Sequence, residues 1–364
     1  MNGNWWNPIH RADSRRTTCI RPKENHMYKT QKGALLAGGL CAVLATAGCA
    51  AGAAPGSSAD KQVTIRLSHS IHATDPIGLG AERFKQLVEK NSNGSIKVQI
   101  YPNNQLGGEN QVLAQLKQGS IQMAITAAGT MGNLVPDISV MDAPYLWKDW
   151  PAEAKVLSGP VGKHFQKEFA DTQGIQLLSA SWYYGLRDLT ANKAIRTPAD
   201  AVGLKIRTPP APVNLLSADV LGGKGIPMDF SLVYLALKSG TLDAEENPLQ
   251  QILTSKLYEV QKYVILTKHI QQSQVVSMNL AFWKGLSSNQ QKVVQAAVDD
   301  AGKYETTLAQ QVEKTAQQSL SKEPGVTIIT NPDIAAFRAR ARQLDPQLKG
   351  KWGGLYDQIL SAQG

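Results

Sequence analysis

The apolar residues between Val63 and Thr126 switch period again and again. Val63, Ile65 and Leu67 alternate with polar residues, as the half-buried face of a strand does. Ala81, Phe84, Leu87 and Val88 then recur at helical spacing, and Asn91-Ser92-Asn93-Gly94 stops the run. Ile96, Val98 and Ile100 return to the strand period. A helix over about 109–118, built on Val112, Leu113 and Leu116, ends at Gly119, and a strand follows at 121–126. Neighbouring parallel strands need a crossover, and a helix is the usual one. The alternation therefore restricts this part of the chain to an α/β fold with a largely parallel sheet.

A second unit of the same character begins near residue 185. GIQLLSASW at 174–182 reads as a strand. Thr197-Pro198-Ala199-Asp200 supplies a cap, a proline at the first helical position and an acid in the first turn, and Leu204–Arg207 reads as the next strand. Helices are predicted at about 212–221, 231–239 and 248–261, and a strand at 275–282. Ser287-Ser288-Asn289-Gln290 then opens a helix in capping-box style. Its apolar series runs from Val293 to Leu320, with Gly302 as its one breaker before Pro324. Such a run is either one helix reaching across two lobes or two ordinary helices broken at Gly302. A chain of 364 residues has the length for about two domains. The lobes are expected at 62–184 plus 273–312 and at 185–272 plus 313–364, with a ligand cleft between them.

Residues 1–61 are expected to lie outside this body. Residues 34–54, ALLAGGLCAVLATAGCAAGAA, are uncharged, and Lys29 and Lys32 precede them. Basic, then apolar, then small residues is the plan of an export signal, placed at 27–49. The alternative, a membrane anchor, would need the hydrophobicity to persist beyond Leu44. Thr46-Ala47-Gly48-Cys49 is similar to a bacterial lipobox, with Thr46 in place of the usual Leu. That makes Cys49 a lipidation candidate, and a lipid there would tether the body without a spanning helix. Ordinary cleavage near Ala51 or Ala53 is the other reading. Residues 1–26 are polar and precede Met27, which would make a normal start, so they read as an extension upstream of the true one. Residues 50–61, AAGAAPGSSADK, read as a flexible linker.

Charge and cysteine content exclude several functions. Of the net charge of +9, +5 falls in residues 1–49, which leaves +4 on the body. So mild an excess is no nucleic-acid footprint, though it suits small anions. Cys19, Cys41 and Cys49 are the only cysteines, so the body has no disulfide, no thiolate metal site and no cysteine nucleophile. His69 and His72 have a metal-pair spacing but no third ligand nearby, and a strand-end role near the cleft is the simpler reading. There is no Gly-x-Ser-x-Gly elbow, no His-Glu-x-x-His and no phosphate loop, and no cofactor or metal is expected. Gly222-Gly223-Lys224-Gly225 reads as a turn.

Two arginines carry the candidate chemistry. Arg187 lies just past a predicted strand in Trp182-Tyr183-Tyr184-Gly185-Leu186-Arg187. Arg207 ends the strand GLKIR, before Thr208-Pro209-Pro210. Open α/β sheets bind ligands at strand carboxyl ends. A guanidinium fork matches a carboxylate with two parallel hydrogen bonds. Each arginine could equally pair with a surface acid. Asn247, in Glu246-Asn247-Pro248, could bridge a carboxylate and a hydroxyl, or could simply be a turn residue.

Several ordered blocks share one pattern over about residues 62–310. They are Tyr101-Pro102 with Gln105-Leu106-Gly107, QLKQGSIQM, GLRDLT, TPADAVGLKIRTP, PMDFSLVYLALKSGTLDAEENPL, and LYEVQKYVILTKH followed by Trp283. Together they resemble the solute-binding proteins of tripartite ATP-independent periplasmic (TRAP) transporters. The resemblance implies a two-lobed periplasmic-binding-protein-like fold of α/β class, with a long helix shared by both lobes. It implies a periplasmic receptor that closes on a small organic acid and hands it to a membrane permease. It places the carboxylate on Arg207, a second basic contact at Arg187, the cleft asparagine at Asn247 and a packing aromatic at Phe230. Glu109 and Ser70 lie on cleft-facing loops in similar proteins. The chain departs from the pattern at Leu232, where a Glu is usual, and at Ala244, where a Gly is usual. The strand end Thr126-Ala127-Ala128-Gly129 lacks the acid of some sugar-acid binders. A wall of Trp182, Tyr183 and Phe230 would suit an apolar or aromatic acid. The rival readings are an enzyme on the same scaffold and a signalling receptor without transport.

Overall fold

The computed structural model describes residues 60–364. The expected start at Met27, the signal at 27–49, the lipidation of Cys49 and most of the linker at 50–61 lie outside the described residues.

Nine strands form one sheet: β1 (Val63–His69), β2 (Ile96–Tyr101), β3 (Met123–Ala127), β4 (Ile175–Ala191), β5 (Lys205–Thr208), β6 (Lys224–Pro227), β7 (Ala244–Pro248), β8 (Tyr263–Asn279) and β9 (Thr327–Ile329). Their order is β2-β1-β3-β8-β4-β7-β5-β6, with β9 added alongside β8. β1 pairs in parallel with β2 and β3, and β5 pairs in parallel with β6 and β7. The antiparallel pair β4 and β8, each 17 residues long, joins these two halves. The expected lobe boundaries at 184/185 and 272/273 fall inside this pair. The register slips between Leu177 and Ser179, again before Trp182 and again before Gly185. Such bulges bend and twist a ladder, here where it passes from one lobe to the other.

Each lobe covers both faces of its half-sheet. In the first lobe Ala124, Leu177 and Val275 share a core with Phe165 and Phe169, while Ile125, Leu178 and Val276 share another with Phe84 and Val298. Alternate residues of one strand thus enter opposite cores, as period two requires. In the second lobe Leu189, Ile206 and Phe337 form one core and Val233, Ile252 and Val264 the other. One expectation fails here. Residues 313–364 were expected in the second lobe, but Leu348, Trp352, Tyr356 and Ile359 pack with Phe165 and Phe169 of the first. The Trp352 indole N–H also reaches the Pro136 carbonyl at 3.1 Å.

Ser288–Leu320 is a single helix of 33 residues, opened by a capping box at Ser287 and Gln290. Its first half enters the first lobe through Val294, Ala297 and Val298, and its last turns enter the second through Ala316 and Leu320. Gly302 does not break it. The residue is glycine because the Trp182 indole lies against it: a Cβ there would sit 2.6 Å from Trp182 Nε1. Gly302→Ala is therefore expected to cost about 1–3 kcal/mol, the usual range for overpacking a filled core. Urea unfolding of the two proteins measures it, and equal midpoints would contradict it. Among the described residues, no helix is long and apolar enough to cross a membrane.

Candidate functional site

The parallel strands of each lobe end at a common cavity. From the first lobe come Ser70 just after β1, Asn104 after β2, Ala127 at the end of β3, and Glu109 at the start of the helix Glu109–Lys117. From the second come Arg207 in β5, Asp229 and Phe230 after β6, and Asn247 in β7. Tyr184 and Arg187 of β4 and Gln272 and Gln274 of β8 complete the lining from the strands that join the lobes. The lobes touch at the rim. Asn133 and Asn110 of the first donate to the Pro210 carbonyl of the second at 3.0 and 3.4 Å. The cleft is closed, and the space inside is about 50 Å³. One water needs roughly 10–15 Å³.

The two arginines differ in what they hold. Arg187 is 2% exposed and already engaged. Its Nε and Nη2 donate to the Glu246 carboxylate, and Nη1 donates to Gln272 Oε1 at 2.8 Å. His269 Nε2 lies 3.2 Å from the same carboxylate. Burial works against the Glu246 charge, but Arg187 and His269 outweigh it and hold the carboxyl at about 2. Burial likewise opposes the charge on Arg187, and Glu246 more than restores it. Arg187 is therefore neutralised inside the protein.

Arg207 is not. It is 3% exposed, and its Nε donates to the Met228 carbonyl at 2.9 Å. Among the described residues its terminal nitrogens have no protein acceptor and it makes no ion pair. The guanidinium carbon stands 5.5 Å from the centre of the Phe230 ring, a cation–π distance. Burial and the neighbouring Arg187 both push its pKa down, the expected strain on a buried cation that lacks its anion.

Across the cavity, Glu109 is fixed by donors of its own lobe. Thr130 Oγ1 donates to it at 2.6 Å, Ser70 Oγ at 3.1 Å and the Ala127 amide at 3.3 Å. The small strand end noted in the sequence thus leaves room for an acid that arrives from another element. Asn247 Nδ2 donates to Glu245 Oε2 at 2.6 Å. Burial pushes the Glu245 carboxyl up to about 7, against the pull of that bond.

Ser70, Glu109, Arg187, Arg207, Phe230 and Asn247 are brought together; Trp182 and Tyr183 are not. Trp182 is 1% exposed, wedged between Gly80 and Gly302 in the first-lobe core. Tyr183 points to the same side of the hinge, its hydroxyl donating to Glu313 at 2.8 Å and its ring 5.0 Å from that of Trp150. The bulges in β4 carry this pair past the cavity and deliver Tyr184 instead. Of the expected aromatic wall only Phe230 lines the cavity, with Tyr184 in place of the other two. His72 Nδ1 bonds Thr74 at 2.8 Å, and burial lowers His69 to about 4. Among the described residues, the one three-residue group of possible metal ligands is Asp137, His164 and Glu168, outside the cavity lining.

Sequence reading missed Asn104, Asp229, Gln272 and Gln274. Asp229 could have been found, because it directly precedes Phe230 at a strand end. The glutamines could not, because Lys268–Gln274 is too polar to read as a buried strand.

Residues 67–349 match the DctP family model, bacterial extracellular solute-binding protein family 7. The 2,3-diketo-L-gulonate-binding periplasmic protein YiaO of Escherichia coli is 32% identical over 275 residues, which is 75% of this chain and 83% of the relative. The sialic acid-binding periplasmic protein SiaP of Vibrio cholerae is 33% identical over 294 residues, 78% of this chain and 91% of the relative. Among solved structures, a TRAP periplasmic solute-binding protein from Actinobacillus succinogenes with bound L-galactonate superposes with a TM-score of 0.79 at 29% identity, covering 83% of this chain and 99% of that one. A strand-end cavity closed between two lobes, a buried arginine left without an anion, and a family match over most of the body lead to one conclusion: this chain belongs to the DctP family of TRAP-transporter solute-binding proteins.

Proposed function

We propose that this protein captures a hydroxylated monocarboxylate in the periplasm, with or without a lipid on Cys49, and delivers it to a TRAP-type membrane permease. The observation that carries the reading is Arg207, a buried fork whose terminal nitrogens have no protein acceptor and which faces a closed cavity. A ligand carboxylate is the group that completes it, with two parallel charge-assisted hydrogen bonds. Glu109 sets the rest of the specificity. It is an acceptor held in place by its own lobe, so it favours a ligand hydroxyl and repels a second carboxylate. Asn247 offers a further polar contact. The named ligands of relatives, 2,3-diketo-L-gulonate and L-galactonate among them, include hydroxylated acids.

A thermal-shift screen tests this. Pantoate, erythronate, L-galactonate, orotate and succinate are each added to the protein. Ligand at 100 times its dissociation constant adds about 2.7 kcal/mol, which is several degrees at roughly 2–4 °C per kcal/mol. The expected result is a shift with a hydroxylated monocarboxylate and a smaller one with succinate. A response to succinate that equals or exceeds the others would overturn the role given to Glu109. No response to any acid would overturn the carboxylate reading.

A further inference from the structure

Asp75 sits at the N-cap of the helix Pro76–Asn91, where an aspartate normally accepts from the first-turn amides. Its side chain makes no such bond. Instead Oδ2 lies 3.1 Å from Thr254 Oγ1, at the end of the second-lobe helix Leu249–Thr254. Asp75 is 1% exposed, and its Oδ1 has no partner. Thr254 Oγ1 is also 2.9 Å from the Gln250 carbonyl of its own helix. A hydroxyl has one proton to give. With Asp75 ionised, that one proton serves Oδ2 and the buried Oδ1 is left without a donor, which costs desolvation without compensation. With Asp75 protonated, a chain runs from the Asp75 O–H to Thr254 Oγ and from the Thr254 O–H to the Gln250 carbonyl, and each acceptor in it has a donor.

We propose that Asp75 and Thr254 form a proton-carrying latch between the lobes, so that closure on the ligand takes up a proton at Asp75. The proposal rests on the receptor reading above, and Asp75 acts as a positioning residue, since neither partner lines the ligand cavity. When the lobes part, Asp75 regains water and the free amides at the start of its own helix, both of which favour the anion. When they close, it exchanges these for burial, which raises its carboxyl from 3.8 to about 7 against the smaller pull of the Thr254 bond.

No cation offsets that burial among the described residues. From β4, Tyr184 faces Asp75, and its hydroxyl donates to Gln251 at 2.9 Å. From the long helix, Glu305 packs against the Asp75 helix at Gly80, and burial pushes its carboxyl well above the usual range. On the preceding loop, His72 and Thr74 bond each other.

The sign follows from a value raised in the closed form. Closure is fully favoured below the open-form value near 4 and weakens as pH rises towards 7. Two experiments on the full chain test it: X-ray scattering of the ligand-free protein, and calorimetric titration with erythronate, each at pH 5 and pH 8. The wild type is expected to be more compact at pH 5 and to bind erythronate about tenfold or more tightly there. Asp75→Asn, which cannot ionise, is expected to lose this part of the dependence and keep the tighter affinity at pH 8. Thr254→Val is expected to raise the dissociation rate at both pH values and leave the association rate unchanged. Glu245 and the buried Asp142, raised to about 6, also titrate in this window, and their share persists in Asp75→Asn. The latch is overturned if the wild type shows no pH effect in either measurement, or if Asp75→Asn retains the full effect. Failure of erythronate to bind counts against the receptor reading for that acid, and the scattering then decides the latch alone.

Discussion

Arg207→Met is expected to weaken capture of the acid by roughly 30-fold to a few thousandfold. That range corresponds to about 2–5 kcal/mol, the loss on removing one partner of a buried charged pair. The same substitution should leave the ligand-free protein no less resistant to urea. Among the described residues Arg207 is buried beside Arg187 with one backbone bond of its own, at Met228, and no ion pair; Glu246, Glu245 and Glu109 act on it only from longer range. Methionine fills a similar volume without the desolvation cost of an unmatched cation. Arg207→Lys should fall between, because an ammonium keeps the charge and loses the fork. Calorimetric titration measures the first effect and urea unfolding the second. A variant that binds normally, or one that unfolds far more easily, would show that Arg207 is structural.

Glu246→Gln should have the opposite profile, with a large loss of stability of about 3–5 kcal/mol. Breaking one side of a buried ion pair strands the other charge. Arg187 and Glu246 are 2% and 0% exposed, and the Glu246 carboxylate is the anion that neutralises Arg187 and faces His269. The pH dependence has a definite sign. Glu246 is held at about 2, below its ordinary 4.5, so its contribution is complete above the ordinary value and is lost as pH falls through about 2. The wild type should therefore lose stability over that acid interval through this group, and the Gln variant should not. Urea midpoints between pH 7 and pH 2 give both numbers. A Gln variant as stable as the wild type at pH 7 would mean that the pair contributes nothing.

What could be read from the sequence follows the physics of each element. The strand–helix–strand blocks of both lobes announce themselves by period, because each buries one regular face. Arg207 could be placed because strand carboxyl ends converge in an open sheet, whereas Asn247 and Phe230 were placed by the family resemblance. β8 was half hidden. Its residues from Lys268 to Gln274 look like loop, yet His269, Gln272, Ser273 and Gln274 are nearly fully buried. All but Gln274 are met by acids on other elements. Gln272 donates to Asp142, His269 faces Glu246, and Ser273 and Gln271 donate to Glu153. A period-based reading has no access to such long-range partners. Trp182 and Tyr183 were misplaced for a related reason, since the register slips in β4 turn those side chains away from the cavity. The last two helices, which carry Leu348, Trp352, Tyr356 and Ile359, were assigned to the wrong lobe because their apolar faces do not say which core they will join.

A crystal structure of the protein with the first acid that gives a thermal shift tests the central claim most directly. The predicted result is a carboxylate bound at about 2.7–2.9 Å by both terminal nitrogens of Arg207. Arg187 should remain on Glu246, and a ligand hydroxyl should donate to Glu109. A carboxylate seated on Arg187 with Glu246 displaced, or an acid bound away from Arg207, would contradict the account.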